Sequence, residues 1–191
     1  MKVNEIFYSL QGEGFHTGTT AVFVRLSGCN LRCPFCDTNH TSGTEMTEEE
    51  IADAAKRYPA PLVVVTGGEP SLFLTHSLVE KLHAAGKIVA VETNGTHELP
   101  DNVDWITLSP KDAFVPNARP ILKRCNELKV VFDGNPLPDY NNIEAAHRFI
   151  QPCDTGELER NSAIIGSAVS YIQSHPEWRL SLQTHKILNI Q

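Results

Sequence analysis

Long apolar runs are missing from this sequence: none approaches the roughly 18 residues that a membrane-spanning helix needs, so a membrane protein is not expected. Clustered basic residues are missing too. Lys and Arg number 16 against 23 Asp and Glu, for a formal charge of −7, and no basic block occurs. Proteins that grip nucleic acid through its phosphates draw heavily on Lys and Arg, so a nucleic-acid partner is not expected either. The opening Met1–Phe15 stretch lacks the basic flank and continuous apolar segment of a secretory signal, which points to a cytoplasmic protein. No internal repeat, low-complexity tract or linker interrupts the chain. Five cysteines, an odd number, do not make a disulfide framework. What remains is an ordinary globular composition, 41% apolar and 20% charged over 191 residues, within the size of one domain.

Strand and helix signals alternate along that domain. Residues 20–28, 62–66, 87–93, 103–109, 126–132 and 180–184 read as strands, being rich in β-branched and aromatic residues. Thr47 and Glu50 have capping-box spacing and open a helix to about Tyr58. Further helices are expected at 75–85, stopped by Gly86, at 141–147 and at 161–174. Alternation of this kind indicates βα units around a parallel sheet. About six strands are too few for a closed eight-stranded barrel, so an open, partial βα barrel over residues 1–191 is expected. Ligands of parallel α/β folds gather beyond the carboxyl ends of the strands. Four unusual polar segments lie there: the cysteine loop 29–38, Gly67-Gly68-Glu69-Pro70, Glu92-Thr93-Asn94-Gly95 and Ser109-Pro110-Lys111.

The cysteines carry the sharpest signal. Cys29, Cys33 and Cys36 fall within eight residues at C-x3-C-x2-C spacing, whereas Cys125 and Cys153 stand alone and read as plain thiols. Three thiolates in one tight loop suit three irons of a cubane whose usual complement is four cysteines, leaving the fourth iron open. A second reading makes His40 the fourth ligand of a closed Cys3His zinc site in a non-catalytic module.

C-x3-C-x-aromatic-C, with Phe35 as the aromatic, resembles the cluster loop of the radical S-adenosylmethionine superfamily. That resemblance implies a 4Fe-4S cluster whose open iron chelates S-adenosylmethionine, and reductive cleavage to a 5′-deoxyadenosyl radical. It also implies cofactor contacts from Phe35, Cys36, Asp37, Gly68, Glu92, Asn94, Ser109, Pro110 and Lys111, with Gln151 beside the adenosyl group. The segments Ser9-Leu10-Gln11-Gly12-Glu13-Gly14, Cys36-Asp37-Thr38, the SPK run at 109–111, the FIQP run at 149–152 and the terminal LSLQTHKILNI together resemble the 7-carboxy-7-deazaguanine synthase family. Glycyl-radical activases share the cysteine spacing and the first of these segments, and remain a rival reading.

The family resemblance implies conversion of 6-carboxy-5,6,7,8-tetrahydropterin to 7-carboxy-7-deazaguanine with loss of ammonia, a lyase reaction on the way to queuosine. Implied substrate contacts are Leu10, Gln11, Gly12, Arg25, Thr66 and the terminal carboxylate of Gln191; Thr38 is implied at a magnesium ion. A small flavodoxin or ferredoxin as reductant, and a homodimer, rest on the resemblance alone. Arg25 independently suits a carboxylate, because its planar fork holds both oxygens and an inward-facing arginine without an anion is costly.

Overall fold

The computed structural model describes residues 1–191. One nine-stranded sheet runs through the whole chain in the order β3-β1-β2-β4-β5-β6-β7-β8-β9. From β2 (Thr20–Leu26) through β4 (Leu62–Gly67), β5 (Ile88–Thr93), β6 (Trp105–Leu108), β7 (Arg124–Phe132) and β8 (Glu144–Pro152) to the short β9 (Arg179–Leu180), every neighbour is parallel. The long N-terminal strand β1 (Lys2–Leu10) has no counterpart in the sequence reading; it pairs antiparallel with β2, and the two-residue β3 (Thr44–Glu45) pairs antiparallel with β1. Six full parallel strands and a stub leave the sheet open, as the strand count predicts.

Side-chain alternation sorts the sheet into two faces. Val22, Val24, Val63, Val65, Val89 and Val91 point outward and are buried under α1 (Glu48–Lys56) and α2 (His76–Ala84), through Ile51, Ala55, Leu78 and Leu82. Leu108, Leu128, Val130 and Ile150 form a second outer core beneath α3 (Leu158–Ser174). The Thr47–Glu50 capping box is formed: Glu50 N–H donates to Thr47 Oγ1 at 3.2 Å, and Thr47 N–H donates to the Glu50 carboxylate at 2.8 Å. At α2 the cap is one-sided: Leu78 N–H donates to Thr75 Oγ1 at 3.0 Å. Among the intervening inner positions, Ala21, Leu62, Val64 and Ala90 form a small apolar cluster, and polar residues stand beyond it. Arg25 and Thr66 sit side by side, as do Glu92, Thr107, Glu127 and His147 across β5–β8.

Two expectations need correction. Residues 141–147 are not a helix: the chain turns at 140–143 and enters β8, which pairs along its length with β7. The Glu-Ala-Ala run favours helix locally, but a full ladder to a central strand overrides that propensity. The last strand is also shorter than 180–184. Ser181 still donates to Ile150 O, but its hydroxyl and the Gln183 amide turn inward, and the chain leaves the sheet into the short α4 (Thr184–Leu188). That departure brings the C-terminal segment back across the opening. Thr184 donates to Gly12 O through both its amide and its hydroxyl, and Ser9 Oγ donates to a Gln191 oxygen at 2.6 Å.

Candidate active site

A cavity of about 520 Å³ opens at the carboxyl ends of the parallel strands. All the site residues expected from the sequence line it except Pro110, whose neighbours Ser109 and Lys111 do. Four loops far apart in sequence therefore share one mouth, because parallel strands all deliver their following loops to the same edge.

The cysteine loop forms one wall. Cys29, Cys33 and Cys36 are free thiols facing the cavity. Burial pushes the Cys29 and Cys33 thiols up, while the Leu31 N–H on Cys29 and the Lys111 ammonium near both pull the other way. No group of three or more Cys, His, Asp or Glu side chains is placed to hold a single metal ion, so the side-chain placement does not favour the closed zinc site. A cubane takes one thiolate per iron and so spaces its ligands more widely than one ion does. Three unpaired thiols on one cavity-facing loop, with no fourth cysteine in that loop, fit a 4Fe-4S cluster with an open iron.

Neighbouring segments hold that loop in register. Gly28 N–H donates to His40 O at 2.8 Å, and Glu69 N–H donates to Gly28 O at 2.9 Å. A Cβ on Gly68 would overlap the Gly28 carbonyl, so glycine is required for this close approach. Glu69, not assigned a role in the sequence reading, is 1% exposed and accepts from Thr93 Oγ1 (2.6 Å), Asn94 N (2.7 Å) and Ser71. Its carboxylate is a strut between the glycine turn and the end of β5. Asn94 has both ends of its amide occupied: Nδ2 donates to Asn30 Oδ1 at 3.0 Å, and Oδ1 accepts from Thr96. Asn30 lies between the first two cysteines, so Asn94 braces the cysteine loop. Phe35 packs edge-on against Phe114 at 4.8 Å. Lys111 Nζ turns back onto Ser109, and burial pulls its ammonium below the ordinary lysine range.

The opposite wall holds the expected substrate residues. Arg25 already has an anion: its Nε donates to Glu5 at 2.8 Å, and its guanidinium lies over Phe7. The cost of burying an unpaired arginine thus does not by itself demand a ligand. Arg25 Nη1 comes within 3.4 Å of Thr38 Oγ1, so the carboxylate grip and the expected magnesium position adjoin. Phe7 and Phe23 stack nearly parallel at 4.9 Å beside them, a flat apolar surface. Gln11 Nε2 donates to Glu92 at 2.9 Å, Gln151 accepts from Ser181, and Thr66 follows Arg25 around the wall. Gln191 returns to the rim, where its side chain donates to Glu5 at 2.6 Å.

The floor was not read from the sequence. Lys129, 4% exposed, forms an ion pair with Glu13 and lies 3.6 Å from Glu92. Burial alone would raise the Glu13 carboxyl, but Lys129 outweighs it and holds the group down to about 2; Gln183 adds a hydrogen bond. His185 also faces the cavity, against Gly12. Charged residues alternating through the otherwise apolar β7, Glu127-Leu-Lys129-Val, were the available signal: in a strand covered on one face by helix, they must line the inside.

The fold, the cysteine loop and the facing glycine turn define an enzyme of the radical S-adenosylmethionine class, and residues 23–129 match the Radical SAM superfamily. A 7-carboxy-7-deazaguanine synthase of Bacteroides thetaiotaomicron is 50% identical over 190 residues, spanning 100% of this chain and 98% of its own. One from Burkholderia multivorans is 42% identical, with 98% of each chain covered. The crystal structure of QueE from Escherichia coli superposes with a TM-score of 0.74 at 27% identity, over 95% of this chain and 92% of that one. The chain belongs to the 7-carboxy-7-deazaguanine synthase family. A glycyl-radical activase is not favoured by any of these similarities, and no helix is long and apolar enough to cross a membrane.

Proposed function

We propose that this protein converts 6-carboxy-5,6,7,8-tetrahydropterin to 7-carboxy-7-deazaguanine with loss of ammonia, using S-adenosylmethionine, a 4Fe-4S cluster and magnesium. The observation that carries the reading is the 50% identity to a named synthase along the whole chain, combined with one cavity that gathers the residues of both expected sites. When bound, the cluster and its sulfonium cofactor supply an organic radical that takes hydrogen from the substrate.

The chain's own contribution is placement. Cys29, Cys33 and Cys36 hold the cluster, and the turn at Gly68 lets backbone approach the cofactor where a side chain would obstruct it. Asn94 and Glu69 keep those two segments in register. Ser109, Lys111, Asp37 and Gln151 offer polar groups to the cofactor's carboxylate, ribose and adenosyl parts. Across the cavity, Arg25 presents a bidentate donor to the pterin carboxylate, beside Thr38, whose hydroxyl is a hard oxygen donor of the kind magnesium prefers. Leu10, Gln11, Gly12 and Thr66 border the ring, and the stacked Phe7–Phe23 pair keeps water from its plane. The terminal carboxylate of Gln191 closes the rim. The protein works in the cytoplasm, as a homodimer fed by a flavodoxin or ferredoxin. Oxygen-free incubation with carboxytetrahydropterin, S-adenosylmethionine and a reductant tests the reading: a product of the mass of 7-carboxy-7-deazaguanine supports it, and cofactor cleavage without any pterin conversion contradicts it.

A further inference from the structure

Between Val3 and Glu5 the pairing of β1 on β2 slips by one residue. Val3 lies opposite Leu26, but Glu5 lies opposite Arg25, which makes Asn4 the extra residue of a bulge. Without that slip, Glu5 would stand opposite Val24 and point with it into the outer core under α1 and α2. Val3 does belong to that core, together with Leu26. Past the bulge it is Glu5 and Phe7 that turn into the cavity, opposite Arg25 and Phe23. A bulge interrupts the ladder of the sheet, and beside a site its usual effect is to re-aim a side chain.

The carboxylate aimed in this way has two partners. One Glu5 oxygen accepts from Arg25 Nε at 2.8 Å, and the other accepts from Gln191 Nε2 at 2.6 Å. The first contact occupies the Nε edge of the guanidinium. Arg25 Nη1 lies 3.4 Å from Thr38 Oγ1, and the guanidinium rests over Phe7, 5.5 Å from its ring centre. Held from the side and from below, Arg25 offers an incoming carboxylate its end-on Nη1–Nη2 pair. The second contact ties the same carboxylate to the last residue of the chain, one of whose backbone oxygens accepts from Ser9 Oγ. Asn4, the bulged residue, donates to Asn39 O at 2.9 Å and Ser42 O at 3.1 Å, and so fastens the loop that carries Thr38.

We propose that Glu5 is a positioning residue for the pterin: it fixes which edge of Arg25 receives the substrate carboxylate, and it links that grip to Gln191 at the end of the chain. This rests on the function proposed above, in which Arg25 and Gln191 border the pterin.

Charge and geometry pull in opposite directions here, which makes the role measurable. Glu5 offsets the charge of Arg25, so by charge alone its removal would tighten the binding of an anion. Its removal also lets the guanidinium turn off the end-on pose, and a two-pronged hydrogen bond depends on that orientation. Positioning means that the second effect outweighs the first.

The test is calorimetric titration of cluster-loaded protein with 6-carboxy-5,6,7,8-tetrahydropterin, free of oxygen, with S-adenosylmethionine and magnesium but no reductant, so that binding is read without turnover. Glu5→Ala should raise the pterin Kd about tenfold or more. Glu5→Gln keeps an acceptor for Arg25 Nε and an amide for Gln191 but carries no charge, and should stay within about threefold of wild type. In both variants the Kd for S-adenosylmethionine should hold within about twofold and the melting temperature within about 3 °C, since the ion pair is partly exposed. Gln191→Ala should raise the pterin Kd about threefold alone and no further in the Glu5→Ala background. Where Glu5→Ala does not fold, Gln191→Ala carries the test, and an unchanged Kd overturns the proposal. So do Glu5→Ala binding as tightly as wild type, Glu5→Gln binding as weakly as Glu5→Ala, or fully additive losses from Glu5 and Gln191. Wild type that binds the pterin without converting it once reductant is added, with Glu5→Ala weakened as stated, retains the role of Glu5 and removes the proposed reaction; conversion by wild type with unweakened binding in Glu5→Ala does the reverse.

Discussion

Replacing Lys129 with Met isolates the electrostatics of the cavity floor. Lys129 is buried and in contact with Glu13, whose side chain is 14% exposed, and Glu92 lies 3.6 Å from the ammonium. Removing one partner of a buried pair strands the other charge, at a cost of about 3–5 kcal/mol. The Glu13 carboxyl gives a separate figure: its fall from 4.5 to about 2 corresponds to about 3 kcal/mol of stabilisation of the charged form. The two agree. For a chain of this length, with about 2–4 °C per kcal/mol, Lys129→Met should lower the melting temperature by roughly 6–20 °C at pH 7. Because Glu13 titrates lower in the folded than in the unfolded protein, its contribution is complete above about pH 4.5 and is lost as the pH falls towards 2. The gap between wild type and variant should therefore narrow over that range. The double variant Glu13→Gln/Lys129→Met should recover at least about half the loss. The assay is far-ultraviolet circular dichroism of protein kept free of oxygen. A single variant melting within about 3 °C of wild type, or a double variant no better than the single, would refute the reasoning.

Three further outcomes follow from the site. Cys33→Ala should abolish cluster-dependent cleavage of S-adenosylmethionine, read as loss of 5′-deoxyadenosine by chromatography; retained turnover overturns the ligand set. Arg25→Lys loses the planar fork and the ordered Nε contact to Glu5, and should raise the KM for the pterin about tenfold or more while leaving that for S-adenosylmethionine within about twofold. Equal losses for both would remove Arg25 from the substrate wall. Asn94→Ala deletes the bridge to Asn30 and the acceptor for Thr96, and should speed iron loss to a chelator by about tenfold, with little change in melting temperature. An unchanged rate would mean that the cysteine loop does not depend on this brace.

What the sequence made legible was set by local signals. The capping box at Thr47–Glu50 and the β-branched runs of β2, β4 and β5 each carry their meaning within a few residues and stand as read, and the C-x3-C-x2-C loop is present as three free thiols on one cavity wall. The placement of four loops around one mouth followed from the parallel topology. Long-range pairing was the blind spot. Glu144–His147 looks helical until β7 offers it a ladder, and Lys2–Leu10 becomes a strand only because β2 lies beside it. The same limit hid the floor of the site. Glu13 and Lys129 are 116 positions apart, and neither motif reveals that they form a buried pair. Asn94 and Arg25 show a third gap: their identities suggested ligand contacts, yet each also has a protein partner, Asn30 and Glu5, visible only in the fold.

The most direct measurement is iron and acid-labile sulfide analysis of oxygen-protected protein, coupled to electron paramagnetic resonance of the reduced cluster before and after S-adenosylmethionine. About four irons and four sulfides per chain are expected, with a spectrum that changes when the cofactor reaches the iron that no cysteine holds. One zinc per chain, or a four-iron signal indifferent to S-adenosylmethionine, would contradict the account.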